Sequence, residues 1–331
     1  MDKISGEGMN NILVTGCCGF IGSKVSETLL GRQASVVGVD NINNYYDPRL
    51  KEWRLEQLKG MDNFSFHQCD IADFNSVKTV FSNYKIDAVI NLAAMAGVRA
   101  SVENPWAYLD TNLKGTLNLL ECCKDRSVKK FVLASTSSVY GDNKKMPFNV
   151  NDNTNHALAP YAATKKGAEV LCYSYHYLYG MDISVFRYFT VYGPAGRPDM
   201  SIFRFIKNID MGRPIPVFGD GKQTRDFTYI DDIADGTIRG LKDVGYEAFN
   251  LGNDRPVELM YVINLIEDRL GKKADFQWLP LHPADITATW ADIDLSKQVL
   301  GWSPKTSIEK GVEKTLSWYM ENRDFVKSLK D

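Results

Sequence analysis

The 331-residue sequence lacks any apolar run approaching the ~20 residues that a membrane-spanning helix needs, and its first nine residues are expected to form a disordered leader. It lacks an excess of either charge, because 39 Lys+Arg stand against 41 Asp+Glu, which argues against a nucleic-acid partner. The six cysteines include two adjacent pairs and no C-x-x-C spacing, so they form a poor disulfide framework. The four histidines have no ligand spacing, and we expect no metal site. These absences predict reduced thiols and a cytoplasmic location.

What is present from Asn10 onward is an alternation of short Val- and Ile-rich runs with longer amphipathic stretches. Parallel strands joined by crossover helices give this pattern, so we predict an α/β fold with a Rossmann-type doubly wound parallel sheet. The predicted strands are Asn11–Thr15, Ser35–Asp40, Phe64–Gln68, Ala88–Leu92, Phe131–Ala134 and Ile183–Tyr188. The predicted helices are Phe20–Gly31, Pro48–Lys59, Asn75–Tyr84, Asn104–Cys123 and Tyr161–Tyr179.

The texture of the chain changes after Tyr188, where paired Gly and Pro residues become frequent. Helical periodicity returns only from about Glu258. Gly and Pro mark turns and loops. The sequence therefore predicts a smaller, loop-rich C-terminal region that lies over the carboxyl edge of the sheet.

Three glycines, Gly16, Gly19 and Gly22, follow the first predicted strand and open the first helix. A tight turn, a close approach to a pyrophosphate and tight helix–strand packing each require a residue without Cβ. Asp40 ends the second strand, where a carboxylate accepts both ribose hydroxyls and repels a 2′-phosphate. The pattern predicts an NAD site rather than an NADP site. The alternative is an ordinary strand-to-helix turn that binds nothing.

A tyrosine and a lysine, Tyr161 and Lys165, lie one turn apart on a predicted helix. Tyr140 and Lys144 share the spacing, but Gly-Asp-Asn between them favours a turn, so we discard that pair. A phenol with a pKa of about 10 must lose roughly three units to act as a base at neutral pH, which costs about 4 kcal/mol. A cation at ~4 Å supplies on the order of 4 kcal/mol at an effective dielectric of ~20, so Lys165 and a positive nicotinamide ring suffice. Thr136 offers a hydroxyl at the same sheet edge to hold a substrate oxygen.

On these residues the sequence resembles the extended short-chain dehydrogenase/reductases and, within them, the NAD-dependent nucleotide-sugar epimerases. The likeness runs from about Asn10 to Lys310 and includes Asn91-Leu92-Ala93-Ala94, Thr136, Tyr161/Lys165, Arg187-Tyr188-Phe189, Arg225-Asp226-Phe227-Thr228-Tyr229-Ile230-Asp231-Asp232 and Asn250-Leu251-Gly252-Asn253. The resemblance implies that Thr136, Tyr161 and Lys165 are catalytic. It also implies that tightly bound NAD takes a hydride from the sugar C4 and returns it to the other face of a 4-keto intermediate.

The resemblance also implies a division of the chain. Residues 1–187 would form the NAD-binding Rossmann domain, and residues 188–331 would mainly bind a UDP-sugar, with segments near 227–253 returning to the first domain. By the same resemblance, helices near Asn104–Cys123 and Tyr161–Tyr179 would pair across a two-fold axis in a homodimer.

Two serines, Ser137 and Ser138, stand where related dehydratases and decarboxylases usually carry an acid after the Thr. Without a positioned proton donor, elimination is disfavoured and simple 4-epimerisation is favoured. Three segments resemble the branch of the family that acts on UDP-glucuronic acid: residues 40–48, 94–101 and 190–200. The implied reaction converts UDP-glucuronate to UDP-galacturonate, a polysaccharide precursor. The alternatives are UDP-glucuronate decarboxylation, UDP-glucose/UDP-galactose 4-epimerisation and a non-catalytic NAD-sensing protein.

The complete set of predicted contacts combines these motifs with the resemblance. The predicted cofactor contacts are Gly16, Gly19, Phe20, Ile21, Gly22, Asp40, Asn41, Asn43, Asp70, Ile71, Leu92, Ala93, Ala94, Ala96, Asn112, Tyr161, Lys165, Tyr188 and Val191. The predicted substrate contacts are Arg99, Thr136, Ser137, Ser138, Thr190, Arg197, Val217, Phe218, Arg225 and Asp285. Arg197 is alternatively a surface loop arginine and Asp285 a loop carboxylate, since Pro-Ala-Asp stands where relatives usually have Pro-Gly-Asp.

Overall fold

The computed structural model describes residues 9–280, 286 and 288–330, so the predicted leader lies outside it except for Met9, which packs against the core. The six predicted strands are all confirmed, within two residues at each end. The strands are β1 (Asn11–Thr15), β2 (Ser35–Asp40), β3 (Phe64–Gln68), β4 (Ala88–Asn91), β5 (Lys130–Thr136), β6 (Asp182–Tyr188), β7 (Thr190–Tyr192), β8 (Ile215–Phe218), β9 (Thr224–Arg225), β10 (Phe227–Tyr229), β11 (Tyr246–Leu251), β12 (Val257–Glu258) and β13 (Phe276–Leu279).

Seven of these strands form one sheet in the order β11-β6-β5-β4-β1-β2-β3, and all of its pairings are parallel. Because the chain runs outward in both directions from β1 and β4, the connections diverge at that point and leave a crevice at the carboxyl ends of the strands. This confirms the predicted doubly wound Rossmann-type sheet. It also places the functional site at the β1/β4 switch point.

The helices flank the sheet and the loop-rich region. They are α1 (Phe20–Gly31), α2 (Pro48–Lys59), α3 (Phe74–Asn83), α4 (Val98–Glu103), α5 (Pro105–Tyr108), α6 (Gly115–Asp125), α7 (Pro160–Tyr179), α8 (Ser201–Met211), α9 (Ile230–Arg239), α10 (Leu259–Leu270), α11 (Asp294–Leu300), α12 (Ile308–Glu321) and α13 (Arg323–Ser328). The expectation that helical periodicity returns only near Glu258 was wrong, because α8 and α9 precede it. Both helices are amphipathic, with apolar residues at helical spacing such as Ile202, Phe205 and Ile209 in α8, so the sequence carries the helical period that the expectation missed.

The predicted helix Asn104–Cys123 is confirmed as helical from Pro105 to Asp125, but it is not a regular α-helix throughout. It is divided into α5, a π-helical turn at Leu109–Lys114, and α6. The side chain of Asn112 in this turn is drawn toward Met95, from whose backbone N it accepts and to whose carbonyl it donates, each at 3.0 Å. A widened turn of this kind frequently marks a functional site, and here it ties the helix to the loop after β4.

Two apolar layers cover the central sheet, one on each face. Alternate residues of β1 supply them: Ile12 and Val14 face one cluster, while Leu13 faces the other. Strands buried on both faces explain the continuous apolar runs in the sequence. All six cysteines are buried in the structure without a disulfide bond, and no described helix is long and apolar enough to span a membrane.

The loop-rich region is not separate from the sheet in its connectivity. After β10, the chain passes through α9 and returns as β11, which pairs with β6 from Tyr246–Ile183 to Leu251–Tyr188. The strand pairs β8/β13 and β9/β12 lie outside the large sheet. The segment between β6 and β11 is therefore anchored in the large sheet at both ends, and its loops reach the carboxyl edge of that sheet.

Candidate active site

The turn after β1 has no space for side chains at its glycines. At Gly16, with φ +68°, an added Cβ would lie 2.7 Å from the backbone N of Ala93. At Gly22 it would lie 1.9 Å from the carbonyl oxygen of Gly16. The backbone amide of Gly16 also donates to Val39 at 2.7 Å, which fixes the turn against β2. The N-terminus of helix α1 therefore lies close to the cavity, and only backbone atoms separate the two.

Asp40 lies at the end of β2 and is largely buried. Its carboxylate accepts from the backbone N of Cys18 at 3.1 Å and from that of Ile42 at 2.8 Å. An ionised carboxylate has about four acceptor positions, so two remain for ribose hydroxyls. The glycine cradle and the remaining capacity of Asp40 both fit a dinucleotide with an unmodified ribose.

A cavity of about 420 Å³ extends from this turn across the carboxyl ends of the strands. It brings together most of the residues predicted from the sequence. The predicted residues that line it are Gly16, Gly19, Phe20, Ile21, Gly22, Asp40, Asn41, Asn43, Asp70, Ile71, Leu92, Ala93, Ala94, Ala96, Thr136, Ser137, Ser138, Tyr161, Lys165, Tyr188, Thr190, Val191 and Arg197.

Two elements carry the side chains of this cavity that were predicted to be catalytic. Strand β5 ends in Thr136, whose hydroxyl accepts from the backbone N of Ser138 at 3.2 Å and so caps the short 3₁₀ turn that follows. Helix α7 begins at Pro160, which suits a first helical position and leaves Tyr161 at the helix start. The hydroxyl of Thr136 lies close enough to the phenol of Tyr161 to act on its pKa. One turn later, Lys165 donates from Nζ to the carbonyl of Ala134 at 2.8 Å.

The pKa values of the two titratable groups are set mainly by burial. Burial raises the pKa of Tyr161, while the nearby hydroxyl of Thr136 and the charge of Arg197 act to lower it. Burial lowers the pKa of Lys165 to about 8. The cation that favours the phenolate here is Arg197, and the acidifying role of Lys165 stays a prediction.

Arg197 lies on the loop after β7 and faces the cavity. Its Nε donates to Asp199 at 3.0 Å, and its Nη2 donates to Asp199 at 2.5 Å and to the carbonyl of Ala96 at 3.1 Å. Its guanidinium also lies 5.6 Å from the centre of the Tyr45 ring. The two N–H groups of Nη1 have no hydrogen-bond partner among the described residues, so one edge of this cation is available to an anion.

Several predicted residues do not line the cavity. Asn112 lies behind it and holds the loop at Met95. Val217 is buried in the core, whereas Phe218, on the other face of β8, has the guanidinium of Arg99 stacked 3.7 Å from its ring centre. Arg225 lies on β9 and donates to the carbonyl of Thr224 at 2.9 Å. Asp285 falls outside the described residues.

Other residues line the cavity although no role was predicted for them. They include Tyr45, Tyr46, Lys51, Asp199 and Met200. Four of the five lie within the segments 40–48 and 190–200, whose resemblance to one branch of the family was the signal that could have found them. Lys51 lies just beyond, and its pKa is lowered by burial. Among the described residues, no group of three or more His, Cys, Asp or Glu side chains could hold a metal ion.

Comparison with known proteins gives the same assignment as the site. The family model described as GDP-mannose 4,6 dehydratase matches residues 13–315. A UDP-glucuronate 4-epimerase from Thermodesulfobacterium geofontis is 57% identical over 323 residues, which cover 97% of this chain and 100% of that protein. The chain belongs to the NAD-dependent nucleotide-sugar epimerase family of extended short-chain dehydrogenase/reductases.

Solved structures of this epimerase family match the whole fold. The UDP-glucuronic acid 4-epimerase from Bacillus cereus, in complex with UDP-glucuronic acid and NAD, has a TM-score of 0.89 and 37% identity, covering 94% of this chain and 99% of that one. The UDP-glucose 4-epimerase from Thermotoga maritima, with UDP-glucose, has a TM-score of 0.88 and 31% identity, covering 95% and 99%. Members with different sugars thus share one overall fold, so differences in sugar specificity must arise from local features of the site.

Proposed function

We propose that the protein is an NAD-dependent UDP-glucuronate 4-epimerase that forms UDP-galacturonate through a 4-keto intermediate. The proposal rests on the set of side chains that line one cavity. It holds Tyr161 and Thr136 beside Arg197, and it has two serines, Ser137 and Ser138, at the positions that follow Thr136. This donor set can bind a sugar carboxylate and has no acid at the positions that an elimination uses.

The chain's own groups handle the proton in this reaction. The phenol of Tyr161 takes the proton of the sugar 4-hydroxyl, and the hydroxyl of Thr136 orients both oxygens. Bound NAD⁺ supplies the acceptor for the hydride that leaves C4 and the source from which it returns. After the keto sugar has rotated in the site and C4 has been reduced on its opposite face, Tyr161 returns the proton to the 4-oxygen. The charge of Arg197 favours the deprotonated form of the phenol during this exchange.

The sugar carboxylate sets a second requirement. A 4-keto uronic acid is a β-keto acid, and it loses CO2 when its carboxylate turns perpendicular to the ring. We infer that Ser137, Ser138, Thr190 and Arg197 hold the carboxylate in an unreactive orientation. The free edge of the Arg197 guanidinium supports this role, because a charge-assisted pair with a carboxylate is directional and strong.

The proposal is tested by incubating the purified protein with UDP-glucuronate and following the C4 proton by NMR. We expect UDP-galacturonate to accumulate, with NAD copurifying and no net reduction of cofactor. Release of CO2 with formation of a UDP-pentose would replace this function with decarboxylation. Conversion of UDP-glucose but not UDP-glucuronate would assign the protein to the other epimerase branch.

Contacts at the uridine end are also proposed. Phe218, stacked under Arg99, offers an aromatic face of the size of a uracil ring, and Arg225 supplies a cation for the diphosphate. Asp285 is proposed to bind a ribose. These residues come from strands and loops beyond the main sheet, and their substitution should weaken the binding of UDP itself.

We further propose a cytoplasmic homodimer that supplies a polysaccharide precursor. Helix α7 has an exposed stripe at Ala163, Val170, Tyr173 and Tyr177, spaced seven, three and four residues apart. Trp106, 73% exposed on α5, adds to this apolar surface. A monomer rarely leaves so much apolar helix surface in water, and a second copy would cover it.

The dimer is tested by light scattering after size exclusion. Tyr177→Glu is expected to give a monomer, since it buries an unpaired charge in the pairing surface. Met320→Glu, at an exposed apolar residue of α12, is the matched control and should leave the dimer intact. A monomeric wild type would contradict the proposal.

A further inference from the structure

Arg54 on helix α2 has no role in the site described above, yet it is one of the largest fully buried side chains of the protein. A guanidinium has five N–H donors, and each of the five has an acceptor here. Nε donates to the carbonyl of Ala195 at 3.1 Å, and Nη2 donates to the carbonyls of Ala195 at 2.7 Å and Gly196 at 3.1 Å. Nη1 donates to the carbonyl of Cys18 at 3.1 Å and to the phenol of Tyr46 at 2.7 Å.

These acceptors belong to two loops that are distant in sequence. Cys18 lies in the glycine turn, between Gly16 and Gly19, and its own backbone N donates to Asp40. Ala195 and Gly196 immediately precede Arg197. One rigid, planar side chain therefore connects the backbone of the cofactor turn to the backbone that carries the proposed carboxylate ligand.

The conformation of Ala195 is an independent sign that this loop is held in place. Its φ is +50°, in the left-handed region that non-glycine residues rarely adopt. Such a conformation persists only when the surroundings impose it. The carbonyl of Ala195 accepts two hydrogen bonds from Arg54. These bonds would hold Ala195 in the left-handed conformation.

The chemistry of the partners also separates Arg54 from an ordinary structural arginine. Its described hydrogen-bond partners are three carbonyls and a phenol, with no carboxylate among them. A buried cation usually pairs with an acid, because burying its charge is costly. A cation that is kept beside the cavity without an acid leaves its positive charge available to anionic ligands there.

We propose that Arg54 is a positioning residue that couples the cofactor turn to Arg197, so that NAD affinity and preference for a uronic acid depend on the same side chain. The proposal rests on the proposed function, because it takes Arg197 as the ligand of the sugar carboxylate. Arg54 itself touches neither the sugar nor the reacting atoms. Its effect passes through the carbonyls that it holds.

The test uses Arg54→Lys, which keeps the charge but cannot reach both loops. Calorimetry gives two readouts. The first is the dissociation constant of NAD. The second is the dissociation constant of UDP-glucose divided by that of UDP-glucuronate, both measured on the NAD-loaded protein. We expect the NAD constant to rise about tenfold and the preference for UDP-glucuronate to fall about tenfold, each corresponding to about 1.4 kcal/mol. Arg49→Lys, five residues earlier on α2 and paired with Asp47, is the control and should change neither.

A merely structural arginine would lower the melting temperature of the variant without moving either readout in the folded protein. A folded Arg54→Lys variant that matches the control in NAD affinity or in sugar preference would therefore overturn the coupling. If that variant does not fold, Tyr46→Phe decides, since it removes only one acceptor of Arg54. It should shift both readouts in the same directions by about threefold, and the absence of a shift in either one overturns the proposal. Failure of the wild type to convert UDP-glucuronate would instead overturn the proposed function, and it is read without any variant.

Discussion

The half of the cavity that surrounds Gly16, Gly22 and Asp40 is formed by strand ends and one turn, whereas the half that surrounds Thr190 and Arg197 is formed by loops beyond the sheet. In the first, the cofactor half, backbone atoms approach so closely that no side chain fits. In the second, the sugar half, side-chain hydrogen bonds set the shape. Substitutions in the cofactor half should therefore abolish binding, whereas substitutions in the sugar half should weaken binding gradually.

The largest effect is expected where the two halves meet, at Tyr161. Tyr161→Phe removes the hydroxyl that lies beside Thr136 and leaves the ring in place. Loss of a general base should lower kcat by about 10²- to 10⁴-fold. NAD and UDP-glucuronate should still bind with near wild-type dissociation constants. Full turnover by the variant in the NMR assay would remove the basis of the assignment.

The cofactor half is broken most directly at Gly22. In Gly22→Ala the new Cβ would meet the carbonyl oxygen of Gly16 at 1.9 Å, so the turn must move. We expect NAD affinity to fall about a hundredfold or more, which is about 3 kcal/mol. Gly31→Ala at the other end of the same helix is the control, because its Cβ would meet nothing within 4 Å. Equal NAD binding by the two variants, measured by calorimetry, would contradict the close-approach argument.

Lys165 gives a prediction on stability rather than binding. Its pKa of about 8 lies below the ordinary value of 10.5, so the unfolded chain binds more protons than the folded one between these values. The burial cost is complete below about pH 8 and disappears as the pH rises toward 10.5. The stability of the wild type relative to Lys165→Met should therefore increase over this window by about 3 kcal/mol. Urea unfolding of both proteins measures it, and a pH-independent difference would contradict it.

The smallest effect is expected in the sugar half. Arg197→Ala should weaken UDP-glucuronate binding at least about tenfold, since a charged hydrogen bond contributes about 1.5 kcal/mol or more. UDP-glucose binding should change little. Asp199→Asn keeps the arginine but removes its anionic partner, and it should bind UDP-glucuronate at least as tightly as the wild type. Equal losses for both sugars in Arg197→Ala would show that the arginine does not read the carboxylate.

The same contrast explains how far the sequence could predict the molecule. The glycine turn, Asp40 and the Tyr161/Lys165 pair are local patterns, in which spacing along one element fixes spacing in the fold. Turn residues between Tyr140 and Lys144 also allowed that pair to be rejected in favour of Tyr161 and Lys165. In the structure Tyr140 is buried at the end of the 3₁₀ turn, where it donates to Asn250 at 2.6 Å.

The residues that sequence reasoning did not find depend on contacts between distant segments. Arg54 meets Ala195 across 141 residues, and no spacing rule connects the two. Arg99 stacks on Phe218 because β8 arrives beside α4, which is a consequence of tertiary packing alone. Helices α8 and α9 were missed for a different reason, because their apolar residues recur at helical spacing and the signal was present in the sequence.

The return of the chain as β11 restricts how such an enzyme can be altered. Because β11 forms one edge of the large sheet beside β6, truncation near residue 190 would leave β6 with an open ladder of backbone donors and acceptors. Recombination with a homologue at that position would have to recreate this pairing across a foreign junction. New sugar preferences are therefore more accessible through grafting of single loops than through fusion of halves.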